Sequence, residues 1–409
     1  MSKFAVDYSQ LNMAGQLLDR QQRHTESLKN YLDTHCRLES SAFGWLLQML
    51  HPVNEMVVDC GKNGATLLGD VSGWAARNTR GSLTAYLEAD RAAYQAAAAL
   101  AAQLGVSPPP FPVSASDLPN LGSAASRADA GYGTSYSAYQ VDLDHMVSGV
   151  QTAGDAVSLV TGTVSTGLDR LGNLTNRGGV VERSDPGSYL VTPQTPPENF
   201  VEDLRWNSGL ILGSIDWVVE RFIGYSVLEE CVYKPFGGDW HAIGRASGAW
   251  SHGGQSLMEL GSNFSGLPGQ VEGWRGDAAE AFQAALALMS AAAVALSYAF
   301  DAVSGLVSLV ESAAKIACAA IASAIGLIET IVLLILPQLT IPVAGWITAT
   351  ATAMTQIKRV IMAVKVINMA INTLMDAINE FIAAREKIMQ AVFMAEDLAN
   401  SAITRAVRA

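Results

Sequence analysis

Apolar side chains recur every three or four residues along most of the chain, which is the spacing of one face of an α-helix. In residues 1–105 this pattern predicts one helical unit, in which a helix and a short apolar stretch precede a long helix from about Val53 to Leu104. Four glycines interrupt the long helix at a cost of up to ~1 kcal/mol each relative to Ala. Their small size predicts that another helix approaches closely at these positions. These glycines are Gly61, Gly64, Gly69 and Gly73.

The same spacing predicts a second helical unit at residues 200–409. One of its helices is expected from about Trp240 to Phe264. Pro337 and Pro342 then break a long apolar run, and proline ends or kinks a helix because it lacks a backbone N–H and clashes with the preceding turn. We therefore expect the chain to reverse at these prolines and to return as a final long helix from about Val343 to Val407.

Two segments rich in Pro, Gly and Ser separate the units. Residues 106–137 and 173–199 are predicted to be linkers, with little order expected in the second, and residues 138–172 between them are predicted to form a further helix. The fold class predicted from the sequence is all-α, with long helical hairpins or bundles in two units joined by these linkers.

Composition narrows the classes of function. Half of the 409 residues are hydrophobic, 16% are charged and 7% are aromatic, which suits helices that pack through small side chains. The net charge of −12 argues against a nucleic-acid partner and against electrostatic capture by anionic lipid. Residues 1–20 lack the apolar core of a Sec signal peptide. The chain also lacks the common nucleotide-binding, zinc-protease and serine-hydrolase motifs, so we expect no enzymatic activity, no cofactor and no metal.

Four cysteines are spread along the chain, and none forms the C-x-x-C pair typical of a zinc site. Cys36 and Cys60 are expected to lie near each other across the first helical hairpin. A disulfide between them would suit an exported protein. Two buried thiols in helices are the alternative.

A tight turn is predicted where Trp274-Arg275-Gly276 precedes an alanine-rich helix. Gly276 can adopt the backbone angles of a helix–helix turn. Asp277 can cap the following helix, and Glu280 can complete a capping box. The indole of Trp274 can pack against the end of the hairpin.

Two further tryptophan motifs, Gly238-Asp239-Trp240 and Gly248-Ala249-Trp250, precede this turn. The order of these motifs over residues 230–310 resembles the WXG-type helical hairpin of actinobacterial type VII (ESX-like) secretion substrates. In the first unit, Ser41-Ala42-Phe43-Gly44 and Tyr86-Leu87-Glu88-Ala89-Asp90 resemble the type VII secretion target family of small helical proteins.

That resemblance gives Tyr86 and Asp90 a role. They lie four residues apart and therefore share one helical face. Their spacing matches the Y-x-x-x-D/E export signal of the type VII system, which implies recognition by the export machinery. Tyr225 and Glu229 have the same spacing, and we interpret them as a chance pair.

An apolar segment from Ile316 to Ile357 contains a single charged residue, Glu329. Its length exceeds the ~20 residues that cross a bilayer as a helix, although the two prolines interrupt it. The leading interpretation is a hairpin buried in a helical bundle. Insertion of this hairpin into a membrane and a docking surface for a partner or chaperone are the alternatives.

The resemblance implies a non-enzymatic substrate or component of a type VII secretion system, acting as a secreted structural or interaction protein. Such a protein is expected outside the cell or at the envelope, without a Sec signal peptide. Its expected partners are the secretion machinery and a helical protein or a second copy of the chain. The alternative function is that of a membrane-active, pore- or channel-forming effector that uses the hairpin at 316–357.

Overall fold

The computed structural model describes residues 5–103, 111, 118–124, 179–194, 238–339 and 344–408. Five α-helices lie within these ranges, and we number them α1 (Tyr8–His35), α2 (His51–Gln103), α3 (Trp240–Gly266), α4 (Asp277–Leu339) and α5 (Ala344–Arg408). Short 3₁₀ turns occur at Ser40–Ala42, Gln48–Leu50, Pro186–Tyr189 and Pro268–Gln270. The predicted all-α fold class is confirmed for this part of the chain. Its described residues contain a single isolated antiparallel β-bridge, between Ala5 and Arg275.

The first hairpin, α1 and α2, is fixed at both ends by short polar side chains. Asp7 caps α1, since its carboxylate accepts the backbone N–H groups of Ser9 at 2.9 Å and Gln10 at 3.1 Å. At the other end, the buried Asn54 accepts the N–H of Leu38 at 3.0 Å and donates to the carbonyl of Cys36 at 3.1 Å. One amide side chain thus satisfies two backbone groups of the segment that follows α1, the carbonyl of Cys36 and the N–H of Leu38.

The glycines of α2 allow close helix packing, as predicted. Gly61 faces the buried rings of Trp250 on α3 and Phe300 on α4, which meet edge to face with 4.9 Å between ring centroids. Gly69 and Gly73 instead face side chains of α1. The glycines therefore let α2 contact helices on two sides, and residues of all five helices share one hydrophobic core.

Substituting Gly61 with Val should destabilise the bundle by about 1–3 kcal/mol, because the added atoms overpack a rigid aromatic contact. A β-carbon at Gly61 would lie 3.0 Å from the nearest atom of Trp250 and 3.2 Å from Phe300. Gly81 on the same helix has no atom within 4 Å of that position, so Gly81→Ala should be neutral or stabilise by up to ~1 kcal/mol. Urea unfolding followed by circular dichroism measures both, and equal losses for the two variants would contradict this packing.

Residues 179–194 form an ordered strap across α1 and α3, so the expectation of little order in 173–199 is wrong for this part. Val180 is buried, and Glu182 is 1% exposed. The Glu182 carboxylate lies 2.8 Å from a nitrogen of each of three α1 side chains, Arg20, Gln21 and His24. Burial opposes its ionisation, but the hydrogen bonds from His24, Arg20 and Gln21 outweigh that effect and hold the pKa of Glu182 below its ordinary value.

The strap is held to α3 as well. Asn263 accepts the backbone N–H of Arg183 at 3.1 Å and donates to the carbonyl of Ser184 at 2.9 Å. Further along, the Tyr31 hydroxyl of α1 donates to the carbonyl of Val191 at 2.7 Å. Burial raises the pKa of Tyr31 above its ordinary range, so this hydroxyl remains a donor. The strap therefore joins the two predicted units through polar contacts at several points.

The other predicted connections are described only in part. In the predicted linker 106–137, residues 118–124 are described, and they are hydrogen-bonded to α1. Asn12 of α1 donates to the carbonyl of Pro119 at 2.9 Å, and Gln16 of α1 accepts the N–H of Leu121 at 2.8 Å. The predicted helix at 138–172 lies outside the described residues. The chain reversal predicted at Pro337 and Pro342 is described only in part, because α4 continues through Pro337 to Leu339 and residues 340–343 lie outside the described residues.

Candidate functional site

The Trp274 turn has the predicted geometry with one correction. Trp274 is 4% exposed, and its ring lies 5.1 Å from that of Phe282. Gly276 has a φ of 124°, which disfavours any residue with a β-carbon. Its carbonyl accepts the N–H of Glu280 at 3.1 Å, so Gly276 occupies the N-cap position. The prediction that Asp277 caps α4 is wrong, because Asp277 is the first helical residue, where its charge still favours the helix dipole.

The start of the chain clamps this turn. Arg275 donates its N–H to the carbonyl of Ala5 at 2.8 Å, and the N–H of Ala5 lies 3.4 Å from the carbonyl of Arg275. Gln10 accepts the N–H of Gly273 at 2.9 Å. Residues about 270 positions apart in sequence meet here, and the residue patterns predicted no such contact. The clamp brings the N-terminus of α1 to the turn between α3 and α4.

The predicted export residues lie on α2 beside this clamp. Tyr86 is half-buried and packs against the hydrophobic core, whereas Asp90 is exposed. The Asp90 carboxylate accepts a hydrogen bond from the hydroxyl of Tyr8, the first residue of α1. Partial burial, and then the contact with Asp90, raise the pKa of Tyr8 to about 12. Tyr8 is thus a site residue that the sequence did not indicate, because its partner is 82 positions away.

A small cavity of about 80 Å³ separates α2 from the Trp274 turn. Its walls include Trp74, Asn78 and Thr79 of α2, Trp274 of the turn and Phe282 of α4. The indole N–H of Trp274 has no hydrogen-bond partner among the described residues. The cavity lies between the two tryptophans and has room only for water-sized groups.

A larger cavity of about 900 Å³ lies at the turn of the first hairpin, near Phe43, Asp239 and Arg37. Arg37 is already bound by Asp33 at 3.0 Å and Asp59 at 2.6 Å. The hydrogen bond that Arg37 donates to the Asp59 carboxylate, partly opposed by burial, raises the pKa of this guanidinium above its ordinary value. Within the described ranges, no group of three His, Cys, Asp or Glu side chains is arranged to hold a metal ion.

The two candidate disulfide residues are free thiols. Cys36 is fully buried at the end of α1, and Cys60 on α2 is partly buried. Burial raises the pKa of both thiols, and the neighbouring Asp59 carboxylate raises that of Cys60 further. The structure therefore contains the thiol alternative rather than the disulfide.

The pair α4 and α5 continues past the rest of the described bundle. Phe300 of α4 lies level with Gly61 and Trp250, from which α2 and α3 extend only about 15 Å further, to His51 and Trp240, at 1.5 Å per residue. From the same level α4 runs about 58 Å further, to Leu339. We call residues 316–339 of α4 and 344–369 of α5 the distal hairpin.

Large apolar side chains are exposed on both helices of the distal hairpin. Ile316 is 55% exposed and Met369 is 63% exposed, whereas the small residues Ala317, Cys318 and Ala322 are buried. Within the apolar segment 316–357, Ile316 and Leu334 are exposed, so a hairpin covered on all sides by the bundle, the leading interpretation of the sequence, does not describe these two positions. The exposed set is Ile316, Leu334, Ile361, Met362, Val364, Val366 and Met369.

Two stretches of the described helices have the length and composition of membrane-crossing helices. They are Asp277–Ala324 and Ile361–Ala383, whose qualifying 18-residue windows have mean hydropathies of 1.7 and 1.5. The core helix of a water-soluble bundle meets the same criteria, and the window in the first stretch fits that description because 67% of it is buried. The window in the second stretch differs, since only 22% of it is buried.

Comparisons of the chain with protein-family models, with curated proteins and with solved structures find no match.

Proposed function

We propose that this chain is a non-enzymatic substrate or component of an actinobacterial type VII (ESX-like) secretion system that acts as a secreted structural or interaction protein. The observation that carries the proposal is the Tyr86–Asp90 pair, which lies on one face of α2 beside the clamped Trp274 turn. Its partners under this proposal are the export machinery and a helical protein, and its location is the cell envelope or the medium.

The geometry around Asp90 suits a recognition surface. Tyr86 packs against the core, which limits its rotamers, and Tyr8 holds the Asp90 carboxylate at the surface. A receptor that binds groups already held in place loses less conformational entropy on association. The role assigned to Trp274 and Gly276 is structural, since they fix the neighbouring turn.

The polar interior of the bundle favours a scaffold over an enzyme. Asn54, Glu182 and Asn263 are buried, and each is engaged in hydrogen bonds that connect helices, turns or the strap. Buried polar groups of this kind hold a specific arrangement of helices and leave no free base or nucleophile at these positions.

Export should depend on Tyr86 and Asp90. In an actinobacterial strain with a working type VII system, Tyr86→Ala or Asp90→Ala should make the protein accumulate in the cell and disappear from the medium, as measured by immunoblotting of both fractions. Each change removes one of the two groups that the receptor is proposed to bind.

Tyr225→Ala is the matched control, since it removes a tyrosine of the same spacing that lies outside the described residues, and it should leave export unchanged. Circular dichroism of the purified variants checks that both remain folded. Secretion of folded Tyr86→Ala and Asp90→Ala proteins at the unmodified level would overturn the assignment of the signal.

A further inference from the structure

The outward face of α5 carries a line of side chains with the spacing of a coiled-coil contact. The opposite face of this helix is packed, since Leu374, Ile378 and Phe381 are buried in the hydrophobic core. Residues that recur at alternating steps of three and four lie along one side of a helix, which is the arrangement by which two helices pair. All six members of the outward line are exposed, and we call them the α5 seam: Met362, Lys365, Met369, Asn372, Asp376 and Asn379.

The charge of the α5 seam changes sign along the helix. Lys365 lies in its first half and Asp376 in its second half, about 17 Å further along the axis. A helix with this order complements a second copy of itself when the two run in opposite directions, because Lys365 of each copy then faces Asp376 of the other. In a parallel pair, each of these side chains would face the same residue of the other copy, and like charges repel.

One antiparallel register aligns the whole seam. When Lys365 is level with Asp376 of the second copy, Met362 is level with Asn379 and Met369 with Asn372, because every pair is centred between residues 370 and 371. A two-fold axis at that point repeats each contact, so the charged pair forms twice. A polar residue within such a line also favours one register over its neighbours.

The shape of the bundle leaves room for this pairing. Burial raises the pKa of the Cys60 thiol on α2, and the nearby Arg385 of α5 partly opposes that rise, so these two residues lie at about the same level. Both helices run away from the distal hairpin, so His51 at the start of α2 is level with about Asp376. The centre of the seam therefore lies about 8 Å beyond the start of α2. In the antiparallel pair, the broad part of each copy lies beside the distal hairpin of the other, where α2 and α3 do not reach.

We propose that the α5 seam is a dimerisation surface, on which a second copy of this chain docks in the antiparallel direction with Lys365 of each copy paired to Asp376 of the other. The apolar contact comes from Met362, which is 60% exposed, and Met369, which is 63% exposed. Pairing removes part of that area from water. The charged pairs fix the direction and the register more than they add affinity. This inference goes beyond the proposed function, since such a dimer does not depend on export.

A lipid bilayer fits the α5 seam less well than a second copy of the chain. Asn372, Asp376 and Asn379 alternate with the apolar positions of this face, and hydrocarbon offers polar side chains no partner. The second copy instead supplies an opposite charge for Asp376. It also leaves the two asparagines in a contact between helices, where water remains at the rim.

Sedimentation equilibrium of the purified full-length protein tests the proposal. The unmodified protein should show a monomer–dimer equilibrium at low salt, and the dimer should weaken as salt is added, because the charged pairs are exposed and are screened. Lys365→Asp replaces an attraction by a repulsion at both symmetry-related positions and should weaken the dimer by about 30-fold. Asp376→Lys should weaken it by a similar factor.

Mixing the two single variants distinguishes antiparallel pairing from a general effect of charge. A dimer of one Lys365→Asp copy with one Asp376→Lys copy has an attractive pair at both positions. The mixture should therefore dimerise about as well as the unmodified protein, although each variant alone does not. The double variant Lys365→Asp/Asp376→Lys should recover dimerisation for the same reason.

Met369→Ala tests the apolar part of the contact. It removes a side chain next to the two-fold axis in both copies and should weaken the dimer by about tenfold or more. Val364→Ala is the matched control, because Val364 is 49% exposed on the same helix but lies outside the seam, and it should leave dimerisation unchanged. Circular dichroism should show unchanged helix content in every variant.

The proposal is wrong if the protein stays monomeric up to about 1 mM, where even a weak interface is half occupied. It is also wrong if the dimer survives both single charge reversals, or if neither the mixture nor the double variant recovers what the single variants lose. A monomer that binds phosphatidylcholine–phosphatidylglycerol vesicles, and binds them less after Met369→Ala, would assign the surface to lipid. These measurements do not involve Tyr86 or Asp90, so their failure and a failure of the export proposal are distinguishable.

Discussion

Trp274→Ala should lower the free energy of unfolding by about 3–5 kcal/mol, because it removes a large buried side chain from a site that cannot collapse around the gap. The indole packs on Phe282, and the backbone on both sides is fixed, by Gly276 with its positive φ and by the Ala5 clamp. A turn held in this way relaxes little when a side chain is lost. The full-length protein should therefore unfold at a lower urea concentration.

Trp274→Phe is the informative control for that measurement. It retains an aromatic ring against Phe282 and removes an indole N–H that lacks a partner among the described residues. Its loss of stability should be clearly smaller than that of Trp274→Ala. Phe393→Ala, at an exposed position, should stay within about 0.5 kcal/mol of the unmodified protein. An unfolding curve for Trp274→Ala that overlies the unmodified curve would rule out a packed turn.

Glu182→Ala should be comparably destabilising, by about 3–5 kcal/mol, because it leaves the partners of a buried carboxylate uncompensated. Arg20, Gln21 and His24 would all lose the same carboxylate acceptor, in the contact between α1 and the strap. Lys29→Ala breaks only a surface pair with Glu26 and should cost about 0–1 kcal/mol. Urea unfolding of the two variants compares a buried ion pair with an exposed one on the same helix.

The Glu182 contact should also make stability depend on pH. Its pKa is lower in the folded protein than its ordinary value of 4.5, so the unfolded chain binds a proton at a higher pH than the folded chain. The stabilisation is then fully present above pH 4.5 and is lost as the pH falls through the lower, folded pKa. The urea midpoint of the unmodified protein should fall more steeply below pH 4.5 than that of Glu182→Gln. Parallel pH profiles would show that the carboxylate does not contribute.

The Tyr86–Asp90 pair and the distal hairpin lie at opposite ends of the described bundle. Along α2, Asp90 is about 44 Å from Gly61 in one direction, while α4 extends from the level of Gly61 to the distal hairpin in the other. Substitutions at Asp90 should therefore not alter the stability of the distal hairpin, since distant sites without shared partners act independently.

The sequence alone determined the helices and where they begin. The apolar spacing, the two prolines and the position of Gly276 predicted where α2, α3, α4 and α5 begin to within about two residues, because these signals act within one or two helical turns. The glycines of α2 likewise predicted close packing. The assignment of the cap to Asp277 was wrong by one position, which is the usual precision of a helix end.

Tertiary structure alone decided the contacts between distant parts of the chain. Glu182 meets Arg20 across 162 positions, and Tyr8 meets Asp90 across 82. A single Glu or Tyr in a segment without periodicity carries no local sign of its partner. The exposure of the distal hairpin was also undecided, because an apolar helix has the same composition whether protein or hydrocarbon covers it. Only the relative lengths of α2, α3, α4 and α5, once packed together, leave residues 316–339 and 344–369 beyond the rest of the described bundle.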